Sequence, residues 1–297
     1  MSEDKYPSES GRRRFVKGVV GSAALSGVGV AGATTINLTT QPSGGGGGPT
    51  EFVGISLVGG PAPRGMPYIP VEIDDEGFIS GVWPEAEEVT EGGTTYQVAE
   101  SEIGGQSYST EWFQYCGRQN AEGVQPDTEA DNYFKSLGEG DTPYEWQAEE
   151  LTEGDRLNVD DFSDYEEWGN GIGDGGVGKP ARATWRSEGL EGELPVTIIR
   201  STRIEKKAQR GDEVGEWYSG ASSQGVIAYL NVCTHFCCVP GYKETDSSAQ
   251  YDIANGVYCQ CHQSQYDPFT PSFDTLDRKS TRLNSSHITR SRMPSSA

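Results

Sequence analysis

Positively charged residues are scarce in this 297-residue sequence. It contains 23 Lys and Arg residues against 45 Asp and Glu residues, a net charge of −22, and only three histidines. A surface of this sign repels a phosphate backbone, which excludes nucleic acid as a partner. Scarce lysine with acidic residues spread along the chain is typical of a protein adapted to high salt. A mesophilic protein with an unusual acidic insertion is the alternative.

Disorder of the whole chain is excluded by its aromatic content. Six Trp, 14 Tyr and 9 Phe residues supply enough large apolar side chains for a hydrophobic core.

Charge is absent altogether from residues 18–50. Arg12 and Arg13 precede an apolar stretch rich in glycine and alanine, which predicts a twin-arginine export signal with its basic part in residues 1–17. Residues 18–40 are then an apolar signal or membrane-anchor helix. A basic patch beside a soluble helix is the alternative, disfavoured because so many glycines weaken a helix.

A run of five glycines follows in "QPSGGGGGPT", residues 41–50. Such a run behaves as a flexible tether. Anchor and tether together predict a domain held at the cell membrane on its outer face.

The end of the chain differs in composition from the rest. Residues 277–297 carry five basic residues and one acidic residue, and no apolar pattern continues through them. We interpret this stretch as the translation of a sequencing-adapter oligonucleotide fused to a truncated gene, with a natural basic tail as the alternative.

Residues 51–276 have the pattern of one all-β domain. Short β-branched and aromatic runs, bounded by Gly, Asp and Ser, predict antiparallel strands at "EFVGISLVGG", "LPVTIIRSTRI", "GVIAYLNVC" and "NGVYCQC". Residues 85–180 interrupt the pattern with 24 acidic and 4 basic side chains. We interpret them as a solvated, salt-adapted insertion on the β domain, with a docking surface for an electron-transfer partner as the alternative.

Cysteine and histidine concentrate in two short boxes, "CTHFCC" at 233–238 and "CQCHQSQYD" at 259–267. Two thiolates and two imidazoles could hold a tetrahedral zinc ion. Each box also has a further cysteine for a disulfide between the loops, a bond that persists outside the cytoplasm and favours a cluster over a zinc knuckle. The candidate ligands are Cys233 and His235 in the first box, and Cys259 and His262 in the second.

The boxes C-T-H-x-x-C and C-x-C-H-x-S-x-Y-D resemble those of Rieske iron–sulfur proteins, of the disulfide-bearing, quinol-oxidising kind. The resemblance covers about residues 185–276, with the cluster-binding part at about 228–270. It implies a Rieske-type antiparallel β domain with a small cluster-binding subdomain, and the predicted export signal and anchor agree with it.

The resemblance also implies a role for each residue of the boxes. A Rieske [2Fe–2S] cluster has two thiolates on one iron and two imidazoles on the other. Hydrogen bonds from a serine and a tyrosine raise its reduction potential by stabilising the reduced form. The implied roles are Cys233 and Cys259 on one iron, His235 and His262 on the other and at the quinol, a Cys238–Cys261 disulfide, Ser264 bonded to a bridging sulfide, and Tyr266 bonded to a ligand sulfur.

Several positions depart from the family pattern. The family commonly has glycine where Cys237 and Gln263 stand, and Cys237 is expected either to strain its loop or to compete with Cys238 for Cys261. The proline-rich loop that shields the cluster after the second box is missing, since the pattern ends near Leu276. "GGPAPRGMP" at 59–67 looks similar but precedes the boxes, so it is not assigned that role.

Cys116 stands alone in the sequence. We expect it to be a small buried apolar residue rather than a ligand.

The expected function is one-electron transfer from a membrane quinol to a cytochrome or copper protein. The chain would act beside a cytochrome b-type subunit in a haloarchaeal quinol–cytochrome c reductase-type complex. One alternative is the Rieske small subunit of a molybdenum oxidase such as arsenite oxidase. A ring-hydroxylase ferredoxin and a non-redox, zinc-binding exported module are the others.

Overall fold

A computed structural model describes residues 49–91 and 94–277. The predicted export signal, the apolar segment 18–40, the glycine run and the tail after Asp277 lie outside these residues. Within the two described ranges, no helix has the length and apolar character needed to cross a membrane.

The described chain is mostly β-structure. Its strands are β1 (Pro49–Gly59), β2 (Met66–Ile69), β3 (Val71–Ile73), β4 (Ile79–Gly81), β5 (Ala86–Glu91), β6 (Thr94–Ile103), β7 (Gln106–Ser109), β8 (Lys135–Ser136), β9 (Lys179–Thr184), β10 (Pro195–Arg200), β11 (Val226–Leu230), β12 (Gly241–Tyr242), β13 (Val257–Cys259) and β14 (Ser264–Asp277). Three α-helices accompany them: α1 (Glu145–Glu150), α2 (Thr202–Ala208) and α3 (Glu213–Ala221). The other helical segments are short 3₁₀ turns.

Nine of the strands form one antiparallel sheet, curled into a half-barrel, in the order β12-β13-β14-β1-β2-β11-β10-β9-β8. All five side chains of β11 are buried, which matches its place between β2 and β10. The strand predicted at "LPVTIIRSTRI" ends at Arg200, because the Ser201 hydroxyl accepts a hydrogen bond from the N–H of Arg203 and begins α2.

The segment 85–180 is not the solvated insertion that its charge predicted. Its acidic side chains, where the structure describes them, are exposed or partly exposed, but many of its aromatic side chains lie in the same core as the main sheet. The ring centroids of Trp112 and Phe52 of β1, for example, are 5.6 Å apart. The fully buried aromatic residues of the segment that belong to this core are Tyr108, Trp112, Phe113, Phe134 and Phe162. The segment also supplies β8 and the start of β9, so it is part of the domain.

The longest strand pair leads to the two boxes. β1 and β14 pair antiparallel from Pro49 opposite Asp277 to Gly59 opposite Gln265. The register shifts after Ile55, and residues 268–270 bulge from the ladder there. Pro268 lies in this bulge, where a missing N–H costs no ladder hydrogen bond. The pair therefore ends beside the second box.

Candidate metal centre

The two cysteine–histidine boxes meet at one end of the main sheet. The first box is in the loop between β11 and β12, and the second is the turn between β13 and β14. β12 pairs with β13, placing Gly241 opposite Tyr258, and β13 pairs with β14. The two loops therefore leave neighbouring strands.

Both loops have the same backbone fold. The N–H of Cys237 donates to the carbonyl of Cys233 at 3.0 Å, and the N–H of Gln263 donates to the carbonyl of Cys259 at 2.8 Å. In each loop the residue that donates this hydrogen bond has a left-handed backbone conformation, with φ of +64° at Cys237 and +65° at Gln263. A side chain in this conformation costs roughly 1–2 kcal/mol. The two departures from glycine thus fall on the two positions that favour glycine.

Cys233 and Cys259 are the free thiols, and each is 1% exposed. A hydrogen bond between the two sulfurs, helped by the hydroxyl of Tyr266, outweighs burial and lowers the pKa of Cys233 to about 5. The same sulfur–sulfur hydrogen bond raises the pKa of Cys259. The pair therefore loses its first proton more readily than an isolated buried thiol, and its second less readily. The thiolate is the form of cysteine that binds metal.

The two histidines lie together at the surface. The ring centroids of His235 and His262 are 4.8 Å apart, and the ring of Phe236 lies 4.3 Å from the first and 4.9 Å from the second. His262 is exposed and His235 is partly exposed. The Nδ1 atom of His235 is nevertheless buried and has no hydrogen-bond partner among the described residues. It is available as an inward-facing ligand atom.

Two hydroxyl groups lie on the buried side of the boxes. The Oη atom of Tyr266 is 3.1 Å from the Sγ atom of Cys233. The Oγ atom of Ser264 is buried and makes no hydrogen bond of normal geometry within residues 49–91 and 94–277, although it is near enough to the Cys233 thiol to help lower its pKa. A buried hydroxyl without a partner is unfavourable by about 1–3 kcal/mol. Ser264 therefore has an unused donor at the position where the resemblance implies a bridging sulfide.

A disulfide joins Cys238 to Cys261, with Cα atoms 6.7 Å apart. It clasps the first box to the second, as the resemblance implied. The Sγ atom of Cys259 lies within 4.8 Å of these two sulfurs, but a disulfide has no thiolate to offer a metal. These three cysteines are therefore not a second metal site.

A second disulfide joins Cys116 to Cys237, whose Cα atoms are 5.4 Å apart. Cys116 is therefore not the small buried apolar residue that was expected, since it is disulfide-bonded and partly exposed, and Cys237 does not compete for Cys261. Because neighbouring residues point different ways, Cys238 bonds to the second box while Cys237 bonds to the segment 85–180. An even count of six cysteines was the available clue: two ligands and one disulfide leave two more to pair.

The segment 59–67, which sequence reasoning set aside, contacts both boxes. The hydroxyl of Thr234 donates to the carbonyl of Arg64 at 2.6 Å. A Cβ atom placed on Gly60 would lie 2.4 Å from the carbonyl oxygen of Gln263 and 2.6 Å from the Cα of Ser264. No sequence feature linked this segment to the boxes, because the contact depends on the pairing of β1 with β14.

Gly60→Ala tests how tightly this segment packs, with Gly154→Ala as its matched control. Both glycines have φ of +86°, but a Cβ atom on Gly154 would meet nothing within 4 Å. We expect the control to lower the free energy of unfolding by about 1 kcal/mol, the cost of the left-handed backbone alone. Gly60→Ala is expected to cost about 1–3 kcal/mol more, because backbone atoms of the second box must move. Equal losses in urea unfolding would show that the contact is loose.

A buried arginine donates a hydrogen bond to the chain just after the first box. The Nη2 atom of Arg182 donates to the carbonyl of Pro240 at 2.7 Å, and its Nε atom donates to Glu244 at 2.8 Å. The side chain of Gln147 in α1 bonds both the N–H and the carbonyl of Arg182. The segment 85–180 thus fixes the first box through this network as well as through the disulfide.

Comparison of the chain with models of protein families, with curated proteins and with solved structures gave no match.

Proposed function

We propose that this chain binds a Rieske-type [2Fe–2S] cluster and transfers single electrons from a membrane quinol. One observation carries the proposal: two buried free thiols and two surface imidazoles come from neighbouring loops that a disulfide joins. In this assignment Cys233 and Cys259 hold one iron, and His235 and His262 hold the other.

The atoms left without partners support this donor set. The buried Nδ1 of His235 and the buried Oγ of Ser264 lack hydrogen bonds, and a cluster would give the first a metal bond and the second an acceptor. The phenol of Tyr266 already reaches the sulfur of Cys233. The side chains of the two boxes therefore fit a [2Fe–2S] cluster.

A Rieske cluster, when bound, accepts one electron at a higher potential than an all-thiolate cluster, because neutral imidazoles leave it less negative. The chain's own residues supply the rest. With Nδ1 turned inward, the remaining ring nitrogen of His235 is the one that can exchange a proton with a partner outside. His262 is exposed beside it and can receive the proton of a quinol hydroxyl. The buried cysteines keep water from the sulfur side of the site.

Exposed apolar side chains lie in or near the two boxes, and one of them, Phe236, lies beside the exposed His262. Among the described residues, the exposed large apolar side chains are Val58 at 54%, Phe236 at 58% and Val239 at 52%. Phe236 belongs to the first box, Val239 directly follows that box, and Val58 is near the end of β1, beside the segment that contacts the second box. Exposed apolar groups gathered at one site favour contact with an apolar partner. A quinol pocket in a cytochrome b-type membrane subunit is the partner we propose, with a cytochrome or copper protein as the later acceptor.

The test is the chemistry of the full chain after anaerobic loading with iron and sulfide. We expect two irons and two acid-labile sulfides per chain, and a rhombic Rieske-type EPR signal after reduction. Bound zinc without a visible chromophore would contradict the proposal and support a zinc module. Absence of the EPR signal from iron-loaded protein would also overturn it.

The genes beside the one that encodes this chain would distinguish the two kinds of complex to which it could belong. A neighbouring cytochrome b gene would support the quinol–cytochrome c reductase-type complex, and a neighbouring molybdopterin-enzyme gene would support the molybdenum oxidase. Placement at the outer face of the membrane stays a prediction, because residues 1–48 lie outside the described part of the chain.

A further inference from the structure

Arg64 is a cation beside the metal centre that no part of the proposed ligand set uses. Its guanidinium carbon lies 4.5 Å from the ring centroid of Phe52 and 4.9 Å from that of Tyr115. The residue keeps some contact with solvent, but its Nη1 atom is buried and has no hydrogen-bond partner among the described residues. Burial lowers the pKa of Arg64, and the guanidinium stays charged because its ordinary pKa is so high.

Two phenols connect this charge to Cys233. The hydroxyl of Tyr266 lies 3.1 Å from the Cys233 sulfur, and the hydroxyl of Tyr115 donates to the carbonyl of Val232 at 2.7 Å. Both phenols are near enough to raise the pKa of Arg64, and the ring of Tyr115 contacts its guanidinium directly. The carbonyl of Arg64 accepts the hydrogen bond of Thr234, the residue after Cys233. The backbone of Arg64 is thus tied to the first box, and its guanidinium packs on a ring whose hydroxyl bonds the residue before Cys233.

The acidic group that opposes Arg64 is Asp274 of β14, which interacts with it electrostatically. Asp274 is exposed, whereas Nη1 of Arg64 is not. Solvent and salt screen an exposed charge more than a buried one, so the positive charge dominates at the site.

We propose that Arg64 raises the reduction potential of the cluster bound at Cys233, acting as a positioning residue rather than as a ligand. This inference rests on the proposed function. The reduced site carries one more negative charge than the oxidised site, and a fixed positive charge nearby stabilises that added charge. In a chain with net charge −22, such a cation offsets the surrounding negative field.

The experiment compares reduction potentials, read by EPR-monitored titration, of the wild-type chain and three variants. Arg64→Gln is expected to weaken electron binding about tenfold, which for a one-electron couple lowers the potential by about 59 mV. Arg64→Lys keeps the charge and is expected to restore most of the potential. Asp274→Asn removes the opposing charge, so it is expected to raise the potential at low salt and to lose that effect at high salt.

Each outcome has one interpretation. A wild-type chain without a Rieske signal would refute the proposed function. A wild-type signal with equal potentials in Arg64→Gln and wild type would refute only the role of Arg64. Should Arg64→Gln fail to fold, the Asp274→Asn potential decides, and no rise at low salt would overturn the proposal. Arg156→Gln is the control for net charge, because Arg156 stacks on Tyr133 at an exposed position; its potential is expected to stay unchanged.

Discussion

Serine in place of Cys259 is expected to abolish iron and sulfide binding. Cys259 ends β13 with 1% of its surface exposed, and serine differs from it by one atom, so packing changes little. The hydroxyl, however, does not ionise at neutral pH as a thiol can, and the thiolate is the ligand. Iron and acid-labile sulfide per chain, with visible circular dichroism, measure the loss.

The double variant Cys238→Ser with Cys261→Ser is the matched control. It also removes two sulfurs from the same loops, but these belong to the disulfide rather than to the proposed ligand set. We expect it to bind iron and sulfide and to lose them faster than the wild-type chain. Full iron content in Cys259→Ser, or none in the control, would show that the ligands are assigned wrongly.

The second large effect concerns the disulfide between Cys116 and Cys237. These residues are 121 positions apart. Loop-closure entropy gives about 4.7 kcal/mol for a disulfide that closes a 100-residue loop, although measured values are often smaller. We therefore expect Cys116→Ser with Cys237→Ser to lower the free energy of unfolding by about 4 kcal/mol. The measurement is urea unfolding in the absence of reductant.

Glycine at 237 separates the disulfide from the backbone strain. Cys237 has φ of +64°, so Cys116→Ser with Cys237→Gly is expected to regain about 1 kcal/mol relative to the double serine variant. A loss below about 1 kcal/mol in the double serine variant would show that the disulfide contributes little to stability. The Cys238–Cys261 disulfide closes a different part of the chain and serves as the comparison.

The two boxes could be located in the sequence because the residues within each box are close along the chain. Cys233 and His235, or Cys259 and Ser264, lie within one loop or one turn, where spacing limits geometry. The strand runs that enter these loops could be identified by composition, and β11 and β13 lie within the predicted runs. Local order of this kind is predictable from the residues themselves.

What sequence reasoning missed depends on contacts between distant parts of the chain. The Cys116–Cys237 disulfide and the hydrogen bond between Arg64 and Thr234 join residues that only the assembled sheet brings together. The segment 85–180 was misjudged for another reason: its net charge reports the exposed carboxylates, while its buried aromatic residues are spaced without a clear period. The composition of the segment therefore predicted its acidic surface but not its contribution to the hydrophobic core.

The long β1–β14 pair has a mechanical consequence. The chain enters the described domain at Pro49, and the boxes lie at the opposite end of β1, beyond Gly59. At about 3.4 Å per residue, an eleven-residue strand separates these points by roughly 35 Å. If the domain is held at Pro49, a rotation about that end displaces His262 far more than it displaces residues near Pro49. The side chains that the proposed function places at the quinol lie at this far end, beyond the paired strands.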